Sequence, residues 1–372
     1  VTISTFLDGR VRLHLGDVRE RLALMPEGSI DCVVTSPPYF GLRDYGMLGQ
    51  IGMEATPAEF VAALVQVFRQ VRRVLKADGS LWLNIGDSYA GSWGAQSRGD
   101  DTPGTLEGGS MISARQIAAH PRGQSGTGSL KRTPGLKPKD LMMIPARVAI
   151  ALQDDGWYLR QDIIWHKPNP MPESVRDRCT KAHEYVFLLT KSPRYFYDAD
   201  AIAEGLAPAS VGRLAQVGLA SQAGSSRVPG KANGAMKAVA GGRKRGVPPR
   251  HASYESSDQS GLDDVGRGYR NKRSVWSIST QPFSDAHFAT MAPELAETCI
   301  LAGCPKGGTV LDPFGGAGTT ALVALRHGRK AELIELNPDY AAMARRRIET
   351  EWRVSIPSVG SDFGPLFSES AA

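Results

Sequence analysis

The chain has 372 residues, 41% of them hydrophobic and 22% charged, a globular composition with no apolar run near the roughly 18–20 residues of a membrane helix. Charges come too early at the N-terminus for a signal peptide, so a cytoplasmic protein is expected. Four cysteines (Cys32, Cys179, Cys299 and Cys304) form no CxxC pair, which argues against zinc and for a reduced compartment. The net charge of +6 is uneven: residues 205–273 hold 12 Lys/Arg and 4 Asp/Glu, a surplus of eight, and the remainder stands at −2. A balanced body therefore carries one basic insert, which suits either a phosphate backbone or a solvated linker.

In chain order, "RVRLHLG" (10–16) and "IDCVVT" (30–35) read as short buried strands. The second runs straight into Thr35-Ser36-Pro37-Pro38-Tyr39. Two prolines stop a strand and stiffen the chain beyond it, so this turn presents a hydroxyl and an aromatic ring on a rigid support. Thr56-Pro57-Ala58-Glu59 then combines a capping box with an early proline, opening a helix that "KADG" closes. Next come a strand at 80–86, a helix at 139–155 and strands at 158–166 and 184–190. Helices are also predicted at 292–303, 318–328 and 338–352, and strands at 308–314 and 330–337. This alternation predicts an α/β, doubly wound, mostly parallel Rossmann-like sheet. Residues 91–138 and 205–273, rich in Gly and small polar residues, read as long inserts at the sheet's edge.

"VLDPFGGAGTTALVAL" (310–325) is a strand, a glycine-rich turn and a helix. Gly316 and Gly318 allow a ligand close to the backbone, and the helix N-terminus offers unpaired N–H groups. Asp312 ends the strand. Glu335 ends the next one, where an acid can bind ribose hydroxyls. No Gly-Lys-Ser/Thr comes after the turn, and Asp312 favours a cationic ligand over a pyrophosphate. S-adenosylmethionine unites an adenosine ribose with a positive amino-acid arm.

Together, "TSPPY" (35–39) and "DPFGGAGTT" (312–320), with "IIWHKPNPMP", "HEYVFLL" and "SVWSI" between them, resemble the motifs of DNA amino-methyltransferases. The catalytic-first order is similar to that of their beta group, a permuted class I methyltransferase. The resemblance covers about 1–90, 140–200 and 274–350. It implies a catalytic domain made of 1–200 and 274–356, a flap at 91–138, a target-recognition insert at 205–273 and a tail at 357–372. It also implies S-adenosylmethionine as cofactor, held by Asp17, Thr35, Asp312, Pro313, Phe314, Gly316, Gly318, Thr319, Glu335 and Asn337. Asp17 is equally suited to be a helix N-cap, and Asn84 and Asp87 to shape a turn. Ser36, Pro37, Pro38 and Tyr39 would form the catalytic clamp on a base flipped from duplex DNA, with direct methyl transfer. Arg243, Lys244, Arg245, Arg250 and Lys167 would contact DNA. No Pro-Cys occurs, which argues against C5 chemistry with its thiolate nucleophile. Serine at the head of the motif favours cytosine N4, with adenine N6 the alternative. Remoter alternatives are an RNA or protein-glutamine methyltransferase and a non-catalytic DNA-binding protein. A cognate restriction endonuclease is a candidate partner, and the enzyme is expected as monomer or homodimer.

Overall fold

The computed structural model describes residues 2–42, 46–47, 49–90, 136–137, 139–207, 211, 269–281 and 290–355. The flap (but for a few residues at its end), the tail and the basic positions Arg243, Lys244, Arg245 and Arg250 lie outside them. Two compact units are present, residues 1–196 with 275–372, and residues 197–274. In the smaller unit, β7 (Glu204–Gly205) pairs antiparallel with β8 (Tyr269–Arg270), and the Glu204 carboxylate faces Arg270 and Arg273 at 3.4 and 3.3 Å.

The larger unit is built on a nine-stranded sheet. Its strands are β1 (Thr2–Phe6), β2 (Val11–Leu15), β3 (Ile30–Thr35), β4 (Leu75–Ile85), β5 (Tyr158–His166), β6 (His183–Thr190), β9 (Val275–Ser277), β10 (Thr309–Asp312) and β11 (Lys330–Glu335). Their order is β1-β2-β11-β10-β3-β4-β6-β5-β9. The run from β2 to β4 is parallel throughout, β6 lies antiparallel to both β4 and β5, and β1 is antiparallel to β2. This is the mostly parallel α/β sheet predicted from the alternation of strands and helices.

Helices α1 (Val18–Leu24), α2 (Pro57–Val74) and α3 (Ile144–Asp154) pack together, as do α4 (Pro293–Gly303), α5 (Thr319–Arg326) and α6 (Pro338–Ser355). Strand alternation assigns them to opposite faces. Val33, Leu81 and Leu83 join the apolar cluster of α2, while the neighbouring Cys32, Ser80 and Trp82 crowd against Gly303 of α4. Phe60, Leu64, Val67, Phe68, Val71 and Val74 of α2 are wholly buried, each such side chain contributing about 1.5–3 kcal/mol. The capping box is formed as predicted: Glu59 N–H donates to Thr56 Oγ1 while Thr56 N–H donates to the Glu59 carboxylate.

Three local expectations are corrected. The helix predicted at 139–155 starts only at Ile144, because Met143 takes a left-handed conformation and Pro145 comes next but one. "KADG" lies within β4, in an irregular stretch of its pairing with β3, rather than in a turn after α2. Strands β1 and β9 and the seven-residue helix α1 were not predicted; each is short, and β1 and β9 are edge strands held by one neighbour.

Candidate active site

Strands β10 and β3 are neighbours, but the chain leaves them in opposite directions: after β10 through α5 to β11, after β3 through α2 to β4. Such a divergence opens a crevice at the carboxyl ends of the two strands, the usual ligand position in an open α/β sheet. The two motifs end those strands. Thr35 Oγ1 donates to Asp312 Oδ1 at 2.7 Å, joining residues 277 positions apart.

Asp312 is buried and accepts two further hydrogen bonds, from Phe314 N–H (3.1 Å) and Thr320 Oγ1 (2.8 Å). Burial nevertheless pushes its carboxyl up to about 7, a negative charge held where water cannot solvate it. Gly316 and Gly318 both have left-handed backbones, and a Cβ on Gly318 would stand 2.9 Å from Ile348 Cδ1. Gly315 N–H donates to Ile334 O, which lays the loop along the end of β11. Glu335 accepts from Gly316 N–H and Asn337 N–H, both at 2.8 Å, and burial raises its pKa. A glycine loop set between two acids, the buried Asp312 at the end of β10 and the half-buried Glu335 at the end of β11, fits a ligand carrying both a cation and a ribose.

A model of the DNA methylase family matches residues 30–346. The chain belongs to that family. Among its relatives, the Type II methyltransferase M.XycI of Xanthomonas campestris pv. cyanopsidis is 42% identical, over 91% of this chain and 87% of the relative. M.SmaI of Serratia marcescens is 41% identical, over 91% and 90%. In fold, the chain is similar to the PvuII DNA methyltransferase (cytosine-N4-specific), with a TM-score of 0.52, 19% identity and coverage of 92% and 91%. This DNA methylase is therefore an S-adenosylmethionine-dependent enzyme of the N4/N6 type, with DNA as its substrate.

The predicted residues of the methylase take distinct places. Thr35 is fully buried, so its hydroxyl serves Asp312 rather than the crevice. Pro313 is buried, and Phe314 packs partly buried beside the core that also receives Tyr39. Thr319 Oγ1 accepts from Arg347 at 2.9 Å, tying the start of α5 to α6. Asn337 accepts from Asp339 N–H and starts α6. Asp17 is the N-cap of α1, and both its oxygens bind Arg19, which holds its pKa down despite partial burial. Lys167 pairs with Glu184 and lies 4.4 Å from the centre of the Trp165 ring, so it belongs to the interior edge of the site.

Around the Pro-Pro turn, Pro37 is buried and Ser36 half-buried, with Ser36 Oγ 3.4 Å from Tyr39 OH. The Tyr39 ring lies against Gly86, just beyond β4, where a Cβ would come within 2.5 Å of it. Tyr39 OH donates to Glu184 Oε2 at 2.6 Å, and Asn84 Nδ2 donates to the same oxygen at 3.1 Å. Glu184 and Gly86 were not singled out from sequence. Glu184 lies within "HEYVFLL", but its link to Tyr39 and Asn84 is visible only in the register that sets β6 antiparallel to β4, with Ile85 opposite Tyr185.

Proposed function

We propose that the protein methylates the exocyclic N4 of cytosine in duplex DNA, at a sequence read by its basic insert, as the modification half of a restriction system in the cytoplasm. The Thr35–Asp312 hydrogen bond carries the reading, because it fixes the Pro-Pro turn against the crevice suited to the cofactor. When bound, S-adenosylmethionine supplies an electrophilic methyl group on a cationic sulfur. Asp312 would face the cationic end and Glu335 the ribose.

The target amine is a weak nucleophile because its lone pair is delocalised into the ring. Ser36 Oγ and the Pro37 carbonyl would accept its two hydrogens and draw the nitrogen toward tetrahedral geometry. Pro37 and Pro38 hold those acceptors rigid, so little reorganisation remains at the transition state. Tyr39 would support a base swung out of the stack. The serine at position 36 favours cytosine, and the Type II relatives favour a partner endonuclease.

The test is transfer from labelled S-adenosylmethionine into unmethylated genomic DNA, followed by nucleoside digestion and mass spectrometry. The expected product is N4-methylcytosine, lost in a Ser36→Ala, Tyr39→Ala double variant. N6-methyladenine would overturn the choice of base, and absence of label in DNA would overturn the whole reading.

A further inference from the structure

The Pro-Pro turn does not stand alone, because its tyrosine is tied to a carboxylate on a different strand. Glu184 is half-buried on β6 and receives three donors, Tyr39 OH and Asn84 Nδ2 on Oε2 and Lys167 Nζ on Oε1. A second amine, that of Lys181, is held nearby on Asp87 O at 2.7 Å. Asn84 is itself fixed by donating to Tyr185 O at 3.2 Å.

We infer that Glu184 is a positioning residue that sets the hydrogen-bond direction of the base clamp; the inference rests on the proposed role of Ser36. An ionised carboxylate can only accept. Tyr39 must therefore give its single proton to Glu184, and its oxygen is left as an acceptor. The neighbouring Ser36 hydroxyl, 3.4 Å away, then directs its proton to Tyr39. The chain runs Ser36 to Tyr39 to Glu184, and the half-buried Ser36 Oγ is left with lone pairs only for any further partner. An exocyclic amine is a donor at both hydrogens, so it meets an acceptor that cannot turn away. Lys167 and Asn84 complete the arrangement by placing a donor on each carboxylate oxygen.

Glu184→Gln keeps the shape and reverses the logic. The Lys167 ammonium demands the amide oxygen, so the amide NH₂ turns toward Tyr39 and donates to it. Tyr39 is then left with Ser36 Oγ and Asn84 Oδ1, each 3.4 Å away, as its acceptors; its proton no longer goes to residue 184, and whenever it turns to Ser36 the serine proton points at the amine.

Initial rates on unmethylated genomic DNA should show Glu184→Gln lowering kcat by about 10- to 100-fold, with S-adenosylmethionine affinity unchanged. The decisive comparison is a cycle with Tyr39→Phe. If Glu184 acts through the tyrosine hydroxyl, the double variant is no slower than the slower single variant. Wild-type rates in Glu184→Gln, or losses that multiply in the double variant, would overturn the inference. Should Glu184→Gln unfold, the same cycle run with Glu184→Asp gives the answer, since the shorter arm cannot reach Tyr39. Inactive wild-type protein would instead indict the proposed function.

Discussion

Burial drives the Asp312 carboxyl from an ordinary 3.8 to about 7, against the lowering influence of Thr35, Thr320 and the Phe314 N–H. Two measurements on this one group should have opposite signs. Without cofactor, the folded chain binds the Asp312 proton more tightly than the unfolded chain, so this group's contribution to stability grows as pH falls through about 7 toward 4. A cationic ligand favours the carboxylate, so S-adenosylmethionine affinity should weaken over the upper part of the same fall. Urea unfolding and calorimetric titration at about pH 8 and about pH 6 would read both, with Asp312→Asn as the reference that loses both dependences. Equal cofactor affinity at the two pH values would remove Asp312 from the binding reading. Asn is a fair isostere here because the Thr35 and Thr320 hydroxyls can accept as well as donate. Asp312, Ser36 and Gly318 were legible from sequence because each belongs to a local run whose backbone chemistry is readable: a Pro-Pro stop or a glycine turn. Glu184 was not, since its partners Tyr39, Asn84 and Lys167 come from three separate segments.

At the level of elements, the strands that cross the sheet's centre were legible because both faces are covered and their sequences are continuously apolar. The edges were not. A two-sided pattern such as that of β1 depends on what lies beside it, and the length of α1 gives little periodicity to read. A tight fit between layers was also invisible. Gly303 closes α4, and a Cβ there would stand 2.3 Å from Trp82 Nε1, 2.6 Å from Ser80 Oγ and 3.0 Å from Cys32 Sγ. Its backbone is ordinary, so the demand is for space alone. Gly303→Ala should therefore destabilise the protein by about 1–3 kcal/mol through overpacking, read as a lower urea midpoint at unchanged slope. A neutral result would mean that α4 can slide away from β3 and β4 without loss.

For the whole chain, the proposed function requires two distant motifs to meet, and the sheet order explains how they do. Between "TSPPY" and "DPFGGAGTT" the chain builds the far half of the sheet, β4, β6, β5 and β9, and then returns through α4 to place β10 beside β3. The basic insert is a separate excursion, and its two ends are already side by side: Gly205 is in register with Tyr269 and Glu204 with Arg270 in an antiparallel pair. A two-residue hairpin turn can join strands in that arrangement. Replacing 206–268 with Asn-Gly should thus leave a folded protein that binds S-adenosylmethionine as before, because Asp312, Glu335 and the glycine loop all lie in the other unit. Methylation of genomic DNA should be lost. DNA affinity should fall and become less sensitive to salt, by about 0.9 in the slope of log K against log salt for each phosphate contact removed. An unchanged salt slope would place the DNA contacts elsewhere and reduce the insert's charge to a solubility feature. Loss of cofactor binding would show instead that the excursion supports the crevice, and that the two units work as one.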